Sequence, residues 1–242
     1  MAQQRHNASG GLIGMRSKTT PMAEAVAAIG DGASVMIGGF GVPGTPFCLI
    51  EELARQGAKE LTIIKNDANE AGMGVDLLLQ NRQVARLITS HIGLNANAIR
   101  LMNAGEIEVE LVSQGILAER IRAGGAGLVG IVTDIGLGTP LAKGKTMLSL
   151  AGREAIFEPA LTADFALLHA ERADDFGNLS YAATARNFNP LMAMAASCSL
   201  AETEILVAQG QMIPEAVHTP GVFVDHVMEL TELPEVYHVV RR

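Results

Sequence analysis

The residues best suited to chemistry in this chain gather around one glycine-rich stretch: Asp31-Gly32-Ala33-Ser34-Val35-Met36-Ile37-Gly38-Gly39-Phe40-Gly41-Val42-Pro43-Gly44-Thr45-Pro46. An apolar run enters glycines, and a Thr-Pro pair opens the helical pattern that follows. A strand, a glycine turn and a helix start in that order let a backbone approach a ligand closely. The free N–H groups at the helix start then favour negative charge. The same order also serves a tight turn in which glycine is needed for packing alone. The spacing is neither G-x-G-x-x-G nor a phosphate loop ending in Lys-Ser/Thr, which weighs against dinucleotides and ATP. Gly38, Gly39, Phe40, Gly41, Val42, Pro43 and Gly44 form the candidate binding loop. A valine at Gly39 is expected to intrude on a ligand or partner more than on the fold.

Amides at the ends of elements come next. Gln114 lies just past the predicted strand Ile107 to Val112. Its N–H groups either stabilise a developing oxyanion or satisfy backbone at a helix start. Asn66 and Asn189 stand at element ends, where open α/β sheets collect ligand-binding polar groups, and where caps and turns also use Asn. His91, alone at a strand end, reads as a hydrogen-bonded structural residue. The six histidines are scattered without metal-ligand spacing, so no metal site is expected. Cys48 and Cys198, far apart in apolar stretches, read as buried small hydrophobes in a reducing compartment.

These residues need a scaffold, and the periodicity supplies one. Helices are predicted over Met22 to Ile29, Thr45 to Gln56, Val75 to Asn81, Ala96 to Ala104 and Ile116 to Arg122. Between them lie strands at Ser34 to Ile37, Leu61 to Ile64, Val84 to Thr89 and Ile107 to Val112. Thr45 is placed to cap its helix, Pro46 suits the first turn and Gly57 stops it. Such alternation means βαβ units and a mainly parallel sheet. Residues 124–144 are rich in glycine and lack a helical period, so a long loop or ribbon is expected there. Further strands are predicted at Thr146 to Leu150, Ala166 to Ala170, Leu179 to Tyr181 and Phe223 to Val227. The expected fold is α/β: one open, mainly parallel sheet flanked by helices, with extra strands in the C-terminal half. Residues 21–242 are read as one domain, after a flexible leader or expression remnant over 1–20.

With 48% hydrophobic and 18% charged residues in 242, the chain has the profile of a packed soluble protein. A net charge of -8 weighs against nucleic acid, whose binding needs a basic surface. No apolar run reaches the roughly 20 residues of a membrane helix. The polar, glycine-containing N-terminus lacks a secretory pattern, and a cytoplasmic location is expected.

The glycine stretch fits, position by position, the signature of the A (alpha) subunits of family I CoA-transferases. The resemblance continues through Lys65-Asn66-Asp67, Thr89-Ser90-His91-Ile92-Gly93 and Ser113-Gln114-Gly115-Ile116-Leu117. It runs on through Ile121-Arg122-Ala123-Gly124-Gly125-Ala126-Gly127, Gly136-Leu137-Gly138-Thr139 and Ala173-Asp174-Asp175-Phe176-Gly177-Asn178-Leu179. It closes with Ala185-Arg186-Asn187-Phe188-Asn189-Pro190 and Thr219-Pro220-Gly221-Val222-Phe223-Val224-Asp225. The chain is most similar to alpha subunits of acetate/acetoacetate and succinyl-CoA:3-oxoacid CoA-transferases.

The resemblance implies transfer of coenzyme A between a short acyl-CoA and a small carboxylic acid, with no tightly bound cofactor. It implies a B (beta) subunit partner whose Glu, in a Glu-Asn-Gly setting, is the nucleophile; this chain has no Glu-Asn-Gly. Gln114 is then implied to face that glutamate. Gly125 and Gly127 are implied to pack along the pantetheine arm or at the interface with the partner. Arg186 either neutralises a substrate carboxylate or CoA phosphate or holds the subunit interface, with the interface role preferred. Relatives carry Tyr-Thr-Pro where this chain has Val132-Thr133-Asp134, which puts a charge near the expected acid site. A related acyl-CoA hydrolase is the nearest alternative, and a sugar-phosphate isomerase or sensor domain a distant one.

Overall fold

The computed structural model describes residues 17–240. Most of the expected leader lies outside the described residues. Of its last few residues, Lys18 donates its backbone N–H to Asp175 O, and Thr19 bridges Val227.

The first half folds as the alternation predicts. Strands β1 (Ser34–Ile37), β2 (Leu61–Ile64), β3 (Val84–Thr89) and β4 (Glu108–Leu111) alternate with helices α1 (Met22–Val26), α2 (Phe47–Gln56), α3 (Val75–Gln80), α4 (Ala96–Asn103) and α5 (Gln114–Gly125). Side chains of a strand point to opposite faces in turn. Val35 and Ile37 therefore join a core with α1 to α4, whereas Met36 joins a second core with α5. Leu49, Ile50 and Leu53 of α2 are fully buried. Truncating one of them, as in Leu53→Ala, costs about 2–5 kcal/mol.

After α5 come β5 (Gly130–Thr133), β6 (Met147–Leu150) and β7 (Arg153–Pro159), which form a separate three-stranded antiparallel sheet in the order β5-β7-β6. The chain then returns to the main sheet with β8 (Ala163–Asp174), β9 (Leu179–Ser180), helix α6 (Asn189–Ala195), β10 (Ala196–Val207) and β11 (His226–Glu229). The main sheet runs β11-β10-β8-β1-β2-β3-β4. Every pairing along that path is parallel, and β9 is antiparallel to β8. The chain moves outward from β1 to β4 and then returns to the other side of β1. Strand order thus reverses between β1 and β8, and at such a switch the chain leaves a crevice outside the carboxyl ends of the strands. The loop Gly38 to Gly44 leaves β1 there.

Three expectations need correction. The extra strands do not all join one sheet, since β5 to β7 stand apart. The ribbon expected over residues 124–144 begins as helix, because α5 continues to Gly125. A Cβ at Gly125 would lie 2.7 Å from Met194 Cβ, so glycine here brings α5 close to the end of α6. Thr45 does not cap α2; its Oγ1 turns back to donate to Gly41 O at 2.7 Å. Gly57 does end α2, in the left-handed region at φ 82°. No described helix is long and apolar enough to cross a membrane.

Candidate functional site

The glycine loop is folded by its neighbours. A Cβ at Gly38 would stand 2.0 Å from Asn189 Oδ1, and one at Gly44 would stand 2.4 Å from Ala185 O. Gly39 combines φ +101° with a hypothetical Cβ 2.6 Å from Thr45 N. The chain itself therefore demands glycine at these three positions, which corrects the expectation that a side chain at Gly39 would spare the fold. Gly41 differs. Its φ of +60° favours glycine, but a Cβ there would meet open space. The Phe40 N–H donates to Pro43 O at 3.1 Å, closing the tip, and the Phe40 ring is 48% exposed.

Beneath the tip lies the turn after β2. Asp67 is buried, and each of its oxygens accepts twice. Oδ2 takes Gly41 N at 2.8 Å and Asn66 Nδ2 at 3.1 Å; Oδ1 takes Asn69 N at 2.9 Å and Lys65 Nζ at 3.2 Å. Burial opposes the charge on Asp67. The Lys65 ammonium and the hydrogen bonds outweigh it and hold the carboxyl below its usual range. Lys65 is fully buried; desolvation lowers its pKa against the pull of Asp67. Asn69 completes the anchor by donating to Gly41 O at 2.9 Å.

Asn66 and Gln114, separated by 48 positions, meet at the same edge. The Gln114 amide donates from Nε2 to Asn66 Oδ1 at 2.8 Å, and Ser90 Oγ donates to Asn66 O at 2.6 Å. Asn66 is fully buried and Gln114 is exposed. The buried amide thus orients the exposed one, which stands at the carboxyl end of β4.

Asn189 is a brace across the other wall. It is fully buried, donates from Nδ2 to Gly44 O at 3.0 Å and to Ala185 O at 2.9 Å, and accepts from His169 N at 3.2 Å. Asn187 Nδ2 donates to Pro43 O at 2.9 Å. Ala183, between β9 and α6, holds φ +43°, a strain of about 1–3 kcal/mol for a non-glycine residue. Arg186 is exposed beside it.

Sequence reasoning missed a buried cluster at the foot of this wall. His169 Nδ1 lies 3.0 Å from Glu202 Oε1, and Nε2 lies 3.2 Å from Glu204 Oε1. Burial alone would lower the imidazole pKa, but the two carboxylates raise it to about 9. Glu202 Oε2 also accepts from Leu49 N at 2.8 Å. Tyr237 stacks on His169 with ring centroids 4.5 Å apart, and its hydroxyl donates to Thr45 O, at the exit of the glycine loop. The available signal was Glu202 and Glu204 at i and i+2 of an otherwise apolar strand, since buried charges require partners.

Comparison with known proteins identifies the family. The family model described as Coenzyme A transferase matches residues 19–230. The chain belongs to the coenzyme A transferase family. It is 49% identical over 205 residues to the alpha subunit of a probable coenzyme A transferase of Bacillus subtilis (strain 168), covering 84% of this chain and 90% of that one. It is 44% identical over 214 residues to the alpha subunit of acetate CoA-transferase of Escherichia coli (strain K12), covering 88% and 97%. In fold it is similar to a solved acyl-CoA transferase of Escherichia coli O157:H7, YdiF, with a TM-score of 0.81 and 22% identity over 92% of this chain. This chain spans 49% of that longer protein.

Within this coenzyme A transferase chain, other candidates lie elsewhere. Gly125 and Gly127 sit at the far end of α5 from Gln114, about 16 Å away at 1.5 Å per residue. Gly125 packs helix on helix, and Gly127 turns with φ +70° in open space. Asp134 follows β5 in the small sheet and pairs with Arg153 at 2.7 Å, so its charge is answered locally. His91 is exposed, and its imidazole makes no hydrogen bond among the described residues, although its backbone bridges Asp67. Cys48 and Cys198 are free and half-buried rather than fully buried. Desolvation raises their thiol pKa values to about 12 and about 11, which makes poor nucleophiles near neutral pH.

Proposed function

We propose that this chain is the alpha subunit of a 3-oxoacid CoA-transferase, active with a B subunit that supplies the nucleophilic glutamate, and that it works in the cytoplasm with acyl-CoA as a substrate. The observation that supports this reading is the link between the glycine loop and the Asn66–Gln114 pair through Asp67: Asp67 accepts from Gly41 N and from Asn66 Nδ2, and Asn66 accepts from Gln114. Backbone and amide donors thus collect along the carboxyl ends of β1, β2 and β4.

In such a reaction a carboxylate attacks the thioester carbonyl, and the CoA thiolate leaves a mixed anhydride. The thiolate then attacks the carbonyl of that anhydride on the glutamyl side, releasing the first acid and forming a glutamyl-CoA thioester. The acceptor acid reverses both steps. Each attack puts negative charge on a carbonyl oxygen, and the exposed N–H of Gln114 is suited to receive it. Asn66 holds that amide in place, so no proton or conformational rearrangement is needed as charge develops. Asn66 and Asn189 serve as positioning residues, because both are buried and already bonded. Gly41, with open space above its Cα, is the loop position suited to close approach by the thioester.

The test is to purify this chain alone and co-purified with a homologous B subunit. The isolated chain should give negligible CoA transfer from acetoacetyl-CoA to acetate. The complex should turn over by ping-pong kinetics, and after acyl-CoA treatment a CoA adduct should appear by mass spectrometry on the partner. Turnover by the isolated chain, or an adduct on this chain, would overturn the reading. Transfer to water in place of acetate would instead favour the hydrolase alternative.

A further inference from the structure

We infer that the cavity beside the glycine-loop tip receives the acyl group of the thioester, and that it admits short monocarboxylic acyl groups of the acetoacetyl or butyryl class while rejecting dicarboxylic ones such as succinyl. This rests on the function proposed above and narrows it.

The cavity measures about 100 Å³ and lies between the loop, the turn after β2 and the turn after β3. At about 30 Å³ for each water-sized group, it holds roughly the three or four heavy atoms that a butyryl or acetoacetyl group carries beyond its thioester carbonyl. Phe40, Val42, Met73 and Leu94 give it apolar walls. Phe40 and Leu94 are 48% and 66% exposed, so the cavity mouth carries uncovered apolar surface. A short acyl chain would cover part of that surface.

The charges around the cavity set the other limit. Asp67 and Glu70 both line it, and no lysine or arginine does among the described residues. The nearest lysine in the sequence, Lys65, is fully buried, and its ammonium is committed to Asp67 at 3.2 Å. Asp67 is answered by Lys65, so a second carboxylate on the acyl group would enter beside the charge of Glu70, unpaired among the described residues, with no free cation lining the cavity to receive it. His91 also lines the cavity.

The experiment uses the complex with its B subunit, at pH 8, and compares kcat/KM for acetoacetyl-CoA, butyryl-CoA and succinyl-CoA with acetate as acceptor. Succinyl-CoA should be at least roughly tenfold poorer. Glu70 is exposed, so its charge is screened. Glu70→Lys should therefore raise kcat/KM for succinyl-CoA relative to acetoacetyl-CoA by roughly three- to tenfold. Met73→Ala, which removes part of a wall, should improve hexanoyl-CoA relative to butyryl-CoA by roughly tenfold. Succinyl-CoA used as well as acetoacetyl-CoA would overturn the inference. So would an unchanged order of acyl preference in both variants. Absence of transfer from every acyl-CoA tested would instead count against the transferase reading beneath it.

Discussion

Two glycine-rich segments of this chain look alike as sequence and differ in what their glycines do. In Gly38 to Gly44, three glycines avoid contact with Asn189, Thr45 and Ala185, and the loop is anchored from below by Asp67. Around Gly124 to Gly144, Gly124 and Gly125 let α5 approach Leu161 and Met194, whereas Gly127, Gly138 and Gly144 are turn residues in open space. The first segment is rigid because its backbone is paired with buried side chains at a strand switch. The second joins a helix to a small sheet that exposes Val132, Met147 and Leu150. Glycine content therefore identifies a binding loop only where buried side chains fix the surrounding backbone.

The sharpest way to break this contrast uses the two ends of α5. Gln114→Ala in the complex with the B subunit should lower kcat by roughly ten- to a thousandfold, as loss of one oxyanion donor does, with a smaller change in KM for acyl-CoA. Gln114 is exposed, so the melting temperature should stay within about 2 °C. Steady-state kinetics and a thermal scan decide it, and normal kcat would return Gln114 to a structural role. At the other end, Gly125→Val should reduce stability by roughly 1–3 kcal/mol through overpacking against Met194, with kcat of the folded complex unchanged.

Gly39→Val should cost about 3 kcal/mol or more, because positive φ and collision with Thr45 backbone add together. For a domain of this size that lowers the melting temperature by roughly 6–12 °C. A variant that melts like the wild type would remove the claim that the fold demands this glycine.

The His169 cluster adds a pH dependence. The folded pKa of about 9 lies above the ordinary 6.5. Its contribution is therefore fully present below pH 6.5 and is lost as the pH rises to 9, since the folded state alone keeps the proton in that window. The size is about 3 kcal/mol from the shift. Thermal scans from pH 6 to 10 should show falling stability, and His169→Gln should flatten that fall. An equally steep fall in the variant would place the titrating group elsewhere.

The smallest and most selective comparison pairs Gly41→Ala with Gly138→Ala. Both residues have positive φ and open space at the Cα, so each substitution should cost about 1 kcal/mol. Only Gly41→Ala should slow transfer by the complex. Equal activity in the two would detach the loop tip from the chemistry.

Much of the scaffold was legible because its signals are local. The strands β1 to β3 are short, largely apolar runs and β4 alternates Glu with apolar residues, and the helices between them carry periodic buried faces. Among the elements that escaped, β7 was not anticipated, and α6 and β10 were missed because the run 187–201 is uncharged without a clear period, and β10 is set by pairing with β8 and β11 on its two sides. The glycine loop was visible at once. That Asn66 would be buried and Gln114 exposed was not, since hydrogen bonding between residues 48 positions apart leaves no mark on local spacing.

By itself the sequence determined the βα alternation, the glycine loop after β1, and a resemblance that names a reaction class. Periodicity, turn chemistry and motif order are properties of neighbouring residues and need no knowledge of the whole. Tertiary structure alone decided that β8 returns beside β1, and so where the switch crevice opens. It alone placed Asp67 under the loop, divided the glycines between packing and access, and trapped His169 between Glu202 and Glu204. The physical reason is common to all of these: burial and pairing between distant segments arise only when the chain closes on itself, and those contacts fix which polar groups remain free to act.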